Sequence, residues 1–138
     1  MSDDKKTLTF ALMDAPFESA RSTTALRMIQ IAVARGYDVN VFAYEGAVYL
    51  PFNLQKKHGN AFHGLDADAE NHPLPRQWIE EIRSVAKAAG GSLTWMNCGL
   101  CADERGANDS LDGVLRGGPP ALVAWATESD NVLVIPTR

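Results

Sequence analysis

Little cysteine, no long apolar run and no excess of basic charge mark this sequence, and each shortage removes a class of protein. Two cysteines in 138 residues cannot build the disulfide framework of a small secreted scaffold. No stretch approaches the roughly 18 consecutive apolar residues of a membrane-spanning helix, so no membrane partner is expected. The formal net charge is −4 and the 13 lysines and arginines are dispersed, adjacent only at Lys5-Lys6 and Lys56-Lys57. A general nucleic-acid binder needs a clustered basic face, because phosphate contacts dominate its affinity, so no direct nucleic-acid partner is expected. Neither a GxGxxG nor a P-loop pattern occurs, which leaves no nucleotide site and no expected cofactor. Residues 1–6 are polar and carry no apolar h-region, so the expected compartment is the cytoplasm. Internal repeats and low-complexity segments are also missing.

What is present is ordinary globular usage, 46% hydrophobic with 22% charged residues, at a length that suits one core and one domain spanning 1–138. Residues 7–14 (TLTFALMD) form a compact apolar run that reads as a buried strand. From 19 to 36 the apolar residues Ala25, Leu26, Ile29, Ala32 and Val33 fall on one helical stripe, with Ser19 or Ser22 to cap it and Gly36 to end it. Residues 37–44 alternate as a strand does, which completes a βαβ unit with a right-handed crossover. Residues 45–55 are weakly helical and broken by Pro51. Residues 56–75 are polar, hold all three histidines (His58, His63, His72) and read as a long loop. A helix over 74–89 follows, with Trp78, Ile82, Val85 and Ala89 inward, then a strand at 92–97. Short helical pieces are expected at 102–105 and 108–116, a helix from Pro119-Pro120 through 129, and a closing strand at 131–136. The expected fold class is α/β: a three-layer α/β/α sandwich around an open, mostly parallel sheet of about five strands.

The chemistry concentrates at Cys98-Gly99-Leu100-Cys101. In open α/β sheets ligands gather beyond the carboxyl ends of the strands, and Cys98 falls at such an end. A sulfur between a strand and a helix start is stabilised as thiolate, the form that attacks another sulfur. Asp103 and Glu104 lie within a turn and oppose a second negative charge, and Arg105 is the nearest cation in sequence, so moderate activation is expected. Asp14 and Glu45 stand at or just past strand ends and are candidates to face the same site, against the plainer reading of loop carboxylates. Three readings of the thiols stay open: sulfur chemistry, a dithiol/disulfide or metal-binding module, and inert buried cysteine. Zinc would need the Cys pair plus His58 and His63, but the order is reversed, the gap is long and no second CxxC exists, so no metal is expected. Tyr44, Trp78, Trp95 and Trp125 read as core or interface residues rather than ligand platforms.

Three stretches resemble the DsrE/DsrF-like sulfur-relay family, in particular its TusD type: residues 18–39 (ESARSTTALRMIQIAVARGYDV), 42–49 (FAYEGAVY) and 98–106 (CGLCADERG). The resemblance spans nearly the whole chain apart from 56–75. It implies a sulfurtransferase-like carrier in which Cys98 holds persulfide sulfur and Cys101 is the second cysteine of the CxxC-bearing branch. Asp14, Glu45, Asn97, Gly99, Leu100 and Arg105 are the candidate binding residues around them. It further implies sulfur-donor and sulfur-acceptor proteins as partners and a homo-oligomer, trimer or hexamer.

Overall fold

The apolar run at 7–14 becomes the strand β1 (Thr7–Leu12), buried from Thr9 to Leu12 on both faces. Such two-sided burial belongs to an inner strand of a parallel sheet, whose faces are both covered. In this computed structural model residues 5–57 and 73–137 are described. The other strands are β2 (Asp38–Ala43), β3 (Ser92–Cys98), β4 (Leu115–Gly117) and β5 (Asn131–Ile135). Together with β1 they form one sheet of order β4-β3-β2-β1-β5, parallel at every pairing.

Four α-helices connect them among the described residues: α1 (Ala20–Ala34), α2 (Pro75–Ala89), α3 (Gly99–Arg105) and α4 (Pro119–Glu128). A 3-10 helix, Glu45–Tyr49, follows β2. Ser19 is the N-cap of α1, its hydroxyl accepting from the Arg21 amide, and the expected stripe Ala25, Leu26, Ile29, Ala32 and Val33 is buried. On α2 the buried residues are Ile79, Ile82 and Ala86, while Trp78 and Val85 are half-buried against the core. Ala89, expected inward, is exposed, because the stripe has turned off the sheet by the last turn. The Trp78 indole donates to the Gln30 side chain at 2.7 Å and ties α2 to α1.

One core joins these helices to Phe10, Leu12, Val39, Val41 and Trp95 of the sheet. Alternation sends Thr9 to the opposite face, where its hydroxyl bonds that of Ser129 at the end of α4. Helices therefore lie on both faces. The α4 side is thinner: α4 has no buried residue, Val123 is 65% exposed and Val134 of β5 is 56% exposed.

Two boundaries differ from expectation. α3 begins at Gly99, not Ala102, with Cys98 as its N-cap. The helical piece expected at 108–116 does not form. Instead Ser110 bridges to Phe52, Gly113 turns the chain at φ +84°, and Leu115–Gly117 joins the sheet edge as β4. The Asp112-Gly113 turn breaks any helix there, since only glycine takes that backbone region without steric cost. Of the expected polar loop, residues 58–72, with His58, His63 and His72, lie outside the described residues.

Candidate thiol site

β3 ends where the site begins. Trp95 and Asn97 share a face of that strand, and Asn97 is 5% exposed. Its carboxamide bonds three protein groups: the Oδ1 accepts from the Trp95 indole at 3.1 Å, and the Nδ2 donates to the Val48 carbonyl at 3.2 Å and to the Ser110 hydroxyl at 3.4 Å. Asn97 thus joins β3, the 3-10 helix and the loop before β4 directly beneath Cys98. It is a tie within the protein, with both sides of its carboxamide bonded to protein groups.

Cys98 and Cys101 are both free thiols. Cys98 is 9% exposed and pairs in register with Gly117 of β4. As N-cap of α3 its sulfur makes no capping hydrogen bond to the helix amides, so the expected support from the helix start is not realised as a direct bond. Cys101, one turn on, packs with Tyr49 and Phe52 against the small cluster of Val48, Ala102 and Ala107. Burial pushes the Cys101 thiol up from its ordinary value of 9.0, the Glu45 backbone N–H bonded to its sulfur opposes this, and the neighbouring Cys98 sulfur raises it further. Cys101 therefore favours its protonated form, with its thiol in a hydrogen bond to the Cys98 sulfur.

Glu45 does reach this end of the sheet. It sits at φ +53°, a left-handed conformation that costs a non-glycine residue about 1 kcal/mol or more. Its carboxylate takes a 3.4 Å contact from Arg105, whose guanidinium also bonds the Cys101 carbonyl at 3.3 Å. The Tyr49 hydroxyl donates to the Arg105 carbonyl and fastens the end of α3. Arg105 thus serves the Cys101 side. Leu100, between the thiols, is 72% exposed.

Asp14 is placed elsewhere. It follows β1, which β2 separates from β3. Its carboxylate accepts from the Ser19 hydroxyl at 2.6 Å and stands 3.7 Å from Arg21, an anchor for the start of α1. Tyr44 stacks obliquely on Phe42 with ring centres 5.8 Å apart.

Sequence reasoning missed Arg116. The register of β4 brings it beside the end of β3, where it grips Asp103 with two hydrogen bonds of 2.7 and 2.9 Å. Asn108 adds a third at 3.0 Å. Together these donors hold the Asp103 carboxyl down at about 2. Asp103 is therefore neutralised by a partner rather than facing the thiols as an unscreened charge. The signal for Arg116 was the Asp112-Gly113 turn, after which Leu115–Gly117 forms a strand.

Among the described residues no three His, Cys, Asp or Glu side chains stand close enough to hold a metal ion. A cavity of about 640 Å³ lies between α1 and α2, lined by Phe17, Leu26, Gln30 and Trp78, but neither thiol opens into it. Among the described residues no helix is long and apolar enough to cross a membrane.

Comparison with known proteins places the fold and the family. The chain is 31% identical over 128 residues to the uncharacterized protein MK0008 of Methanopyrus kandleri, covering 91% of each. It is 28% identical over 127 residues to the uncharacterized protein MJ0989 of Methanocaldococcus jannaschii, covering 91% of this chain and 96% of that one. The crystal structure of the ychN protein from E. coli superposes with a TM-score of 0.70 at 23% identity, over 95% of this chain and 99% of that one, which is a likeness of fold. The model of the DsrE/DsrF-like family matches residues 6–135, from the start of β1 to the end of β5, so the chain belongs to that family.

Proposed function

We propose that this protein is a sulfur carrier: Cys98 accepts sulfane sulfur from a donor protein as a persulfide and passes it to an acceptor thiol. The observation that carries this reading is the pair of free thiols at the carboxyl end of β3, Cys98 at the strand end and Cys101 one helical turn on with its thiol hydrogen-bonded to the Cys98 sulfur. Membership of a family known for sulfur relay supports it.

The transfer needs no cofactor. The Cys98 thiolate attacks the terminal sulfur of a donor persulfide R–S–SH; the donor S–S bond breaks, R–S⁻ leaves with the electron pair, and Cys98–S–SH remains. An acceptor thiolate then attacks that terminal sulfur and regenerates the Cys98 thiolate. Cys101 threatens this cargo, since its own thiolate would attack the inner sulfur, expel HS⁻ and leave a Cys98–Cys101 disulfide. Keeping Cys101 protonated suppresses that loss, because only the thiolate is nucleophilic. The exposed Leu100 between the thiols is an apolar contact for the partner, and Glu45 and Arg105 order the Cys101 side of the same surface.

The thin cover over α4 and β5 supports self-association, as a homo-oligomer that buries Val123 and Val134. The cytoplasm, where thiols stay reduced, suits the two free cysteines. A second reading, a dithiol/disulfide switch without sulfur transfer, is favoured by the same sulfur–sulfur contact.

Incubating the reduced protein with a persulfide donor and weighing it intact separates the two. A carrier gains about 32 Da per sulfur, loses the gain in Cys98→Ser and keeps it in Cys101→Ser. A loss of about 2 Da, as the disulfide forms with no sulfur added, favours the switch.

A further inference from the structure

The cation nearest the thiols in sequence, Arg105, is committed to the Glu45 carboxylate and the Cys101 carbonyl. The Cys98 side has a different cation. Arg116 lies across Gly99, the residue that follows Cys98: a methyl group built on Gly99 would stand 2.7 Å from the Arg116 Cζ and 2.8 Å from its Nε. Gly99 has an ordinary backbone conformation, so the missing side chain serves the close approach of the guanidinium rather than the turn of the chain.

Three further features fix that approach. β4 pairs Arg116 with Asn97 and Gly117 with Cys98, so the strand carrying the arginine is in register with the strand carrying the thiol. Asp103, one turn into α3, holds the guanidinium through two hydrogen bonds. Asn108 braces the pair from the side, donating to Asp103 at 3.0 Å and accepting from Arg116 at 3.3 Å. The arginine is oriented before any sulfur arrives.

We propose that Arg116 is the positioning residue for the anion on Cys98: held by Asp103 and admitted by the bare Gly99, it supplies the positive charge that steadies the Cys98 sulfur. This rests on the sulfur-carrier reading and assigns each thiol its own cation, Arg116 to Cys98 and Arg105 to Cys101. The electrostatics agree, since Arg116 is held in its charged form first by Asp103 and also by Cys98. The charged and titratable groups that interact with Cys98 are Cys101 on α3 and Arg116 on β4, with Asp103 behind Arg116 and Glu45 and Arg105 beyond Cys101. The Arg116 side chain is 56% exposed, so its influence is graded by salt.

The test is the alkylation rate of Cys98, read on its own by peptide mass, in the native chain, Arg116→Gln, Arg116→Lys and Gly99→Ala. Gly99→Ala keeps every charge and introduces a better helix former, yet pushes the guanidinium aside. At low salt and about pH 7, Arg116→Gln and Gly99→Ala each slow Cys98 alkylation about threefold or more, while Arg116→Lys retains most of the rate. At about pH 10, where an ordinary thiol is already ionised, the four rates converge. Equal rates at neutral pH, or slowing by the same factor at both pH values, overturn the assignment. Intact mass after persulfide treatment of the native chain reports separately on the carrier reading. A native chain that gains sulfur while all four alkylation rates agree loses only the role of Arg116. A chain that gains none while the rates separate keeps that role and loses the relay.

Discussion

Cys98 and Cys101 are three residues apart in sequence, yet their surroundings differ in kind. Cys98 ends a strand, backed by Asn97 and bordered by Gly117 and the Arg116–Asp103 pair. Cys101 lies inside a helical turn, packed on Val48, Tyr49 and Phe52, with a backbone N–H from Glu45 on its sulfur. The difference teaches that a CxxC is not two equal thiols: one sulfur ends a strand beside the Arg116–Asp103 pair, and the other sits inside a helical turn against an apolar cluster and the Cys98 sulfur. Both differences are set by tertiary neighbours rather than by the four residues of the motif.

The largest expected effect is all-or-none. Cys98→Ser abolishes the gain of sulfur and Cys101→Ser preserves it, measured by intact mass. The reverse pattern would invert the comparison.

Next is the pH response of Cys101. Its folded-state thiol titrates above 9.0, so its alkylation near pH 7 is expected to run about fiftyfold or more slower than near pH 10. The sign for stability follows. A thiol raised by burial favours the protonated form, so its contribution to stability is complete below pH 9.0 and lost as the pH rises through the folded value. Equal alkylation of both cysteines across this range breaks the comparison.

Smaller again is the shared support. Asn97→Ala leaves the Val48 carbonyl and the Trp95 indole without a buried partner, a loss of about 2 kcal/mol by denaturant unfolding. Since Asn97 adjoins Cys98 and bonds Val48, against whose cluster Cys101 packs, this variant is expected to narrow the difference between their alkylation rates.

The smallest effect is at Glu45. The Glu45–Arg105 contact is long and exposed, worth less than about 1 kcal/mol, and glycine would relieve the left-handed backbone at this position. Glu45→Gly is therefore expected to leave stability within about 1 kcal/mol of the native chain, measured by thermal unfolding. A larger loss would mean that the ion pair outweighs the strain.

Much of this was legible in the residues. The alternation at 37–44, the stripe from Ala25 to Val33 and the apolar runs at 7–14 and 131–136 carry the strands β1, β2 and β5 and the first helix, because each follows a local period that burial enforces. The position of Cys98 at a strand end was legible for the same reason. What escaped was non-local. Nothing near the thiols in sequence announces Arg116, which arrives only because a three-residue strand, Leu115–Gly117, pairs with β3. Asp14 shows the converse: its place after a strand suggested the site, but Ser19 and Arg21 claim its carboxylate for α1. Asn97 looked like a binding residue because it adjoins Cys98, and its bonds turn inward instead.

The most direct measurement is to load the reduced protein from a persulfide donor, fragment it, and locate the added sulfur between the two cysteines. The account predicts it on Cys98 alone, with Cys101 recovered as a free thiol. Sulfur found on Cys101, or shared evenly between the two, contradicts it.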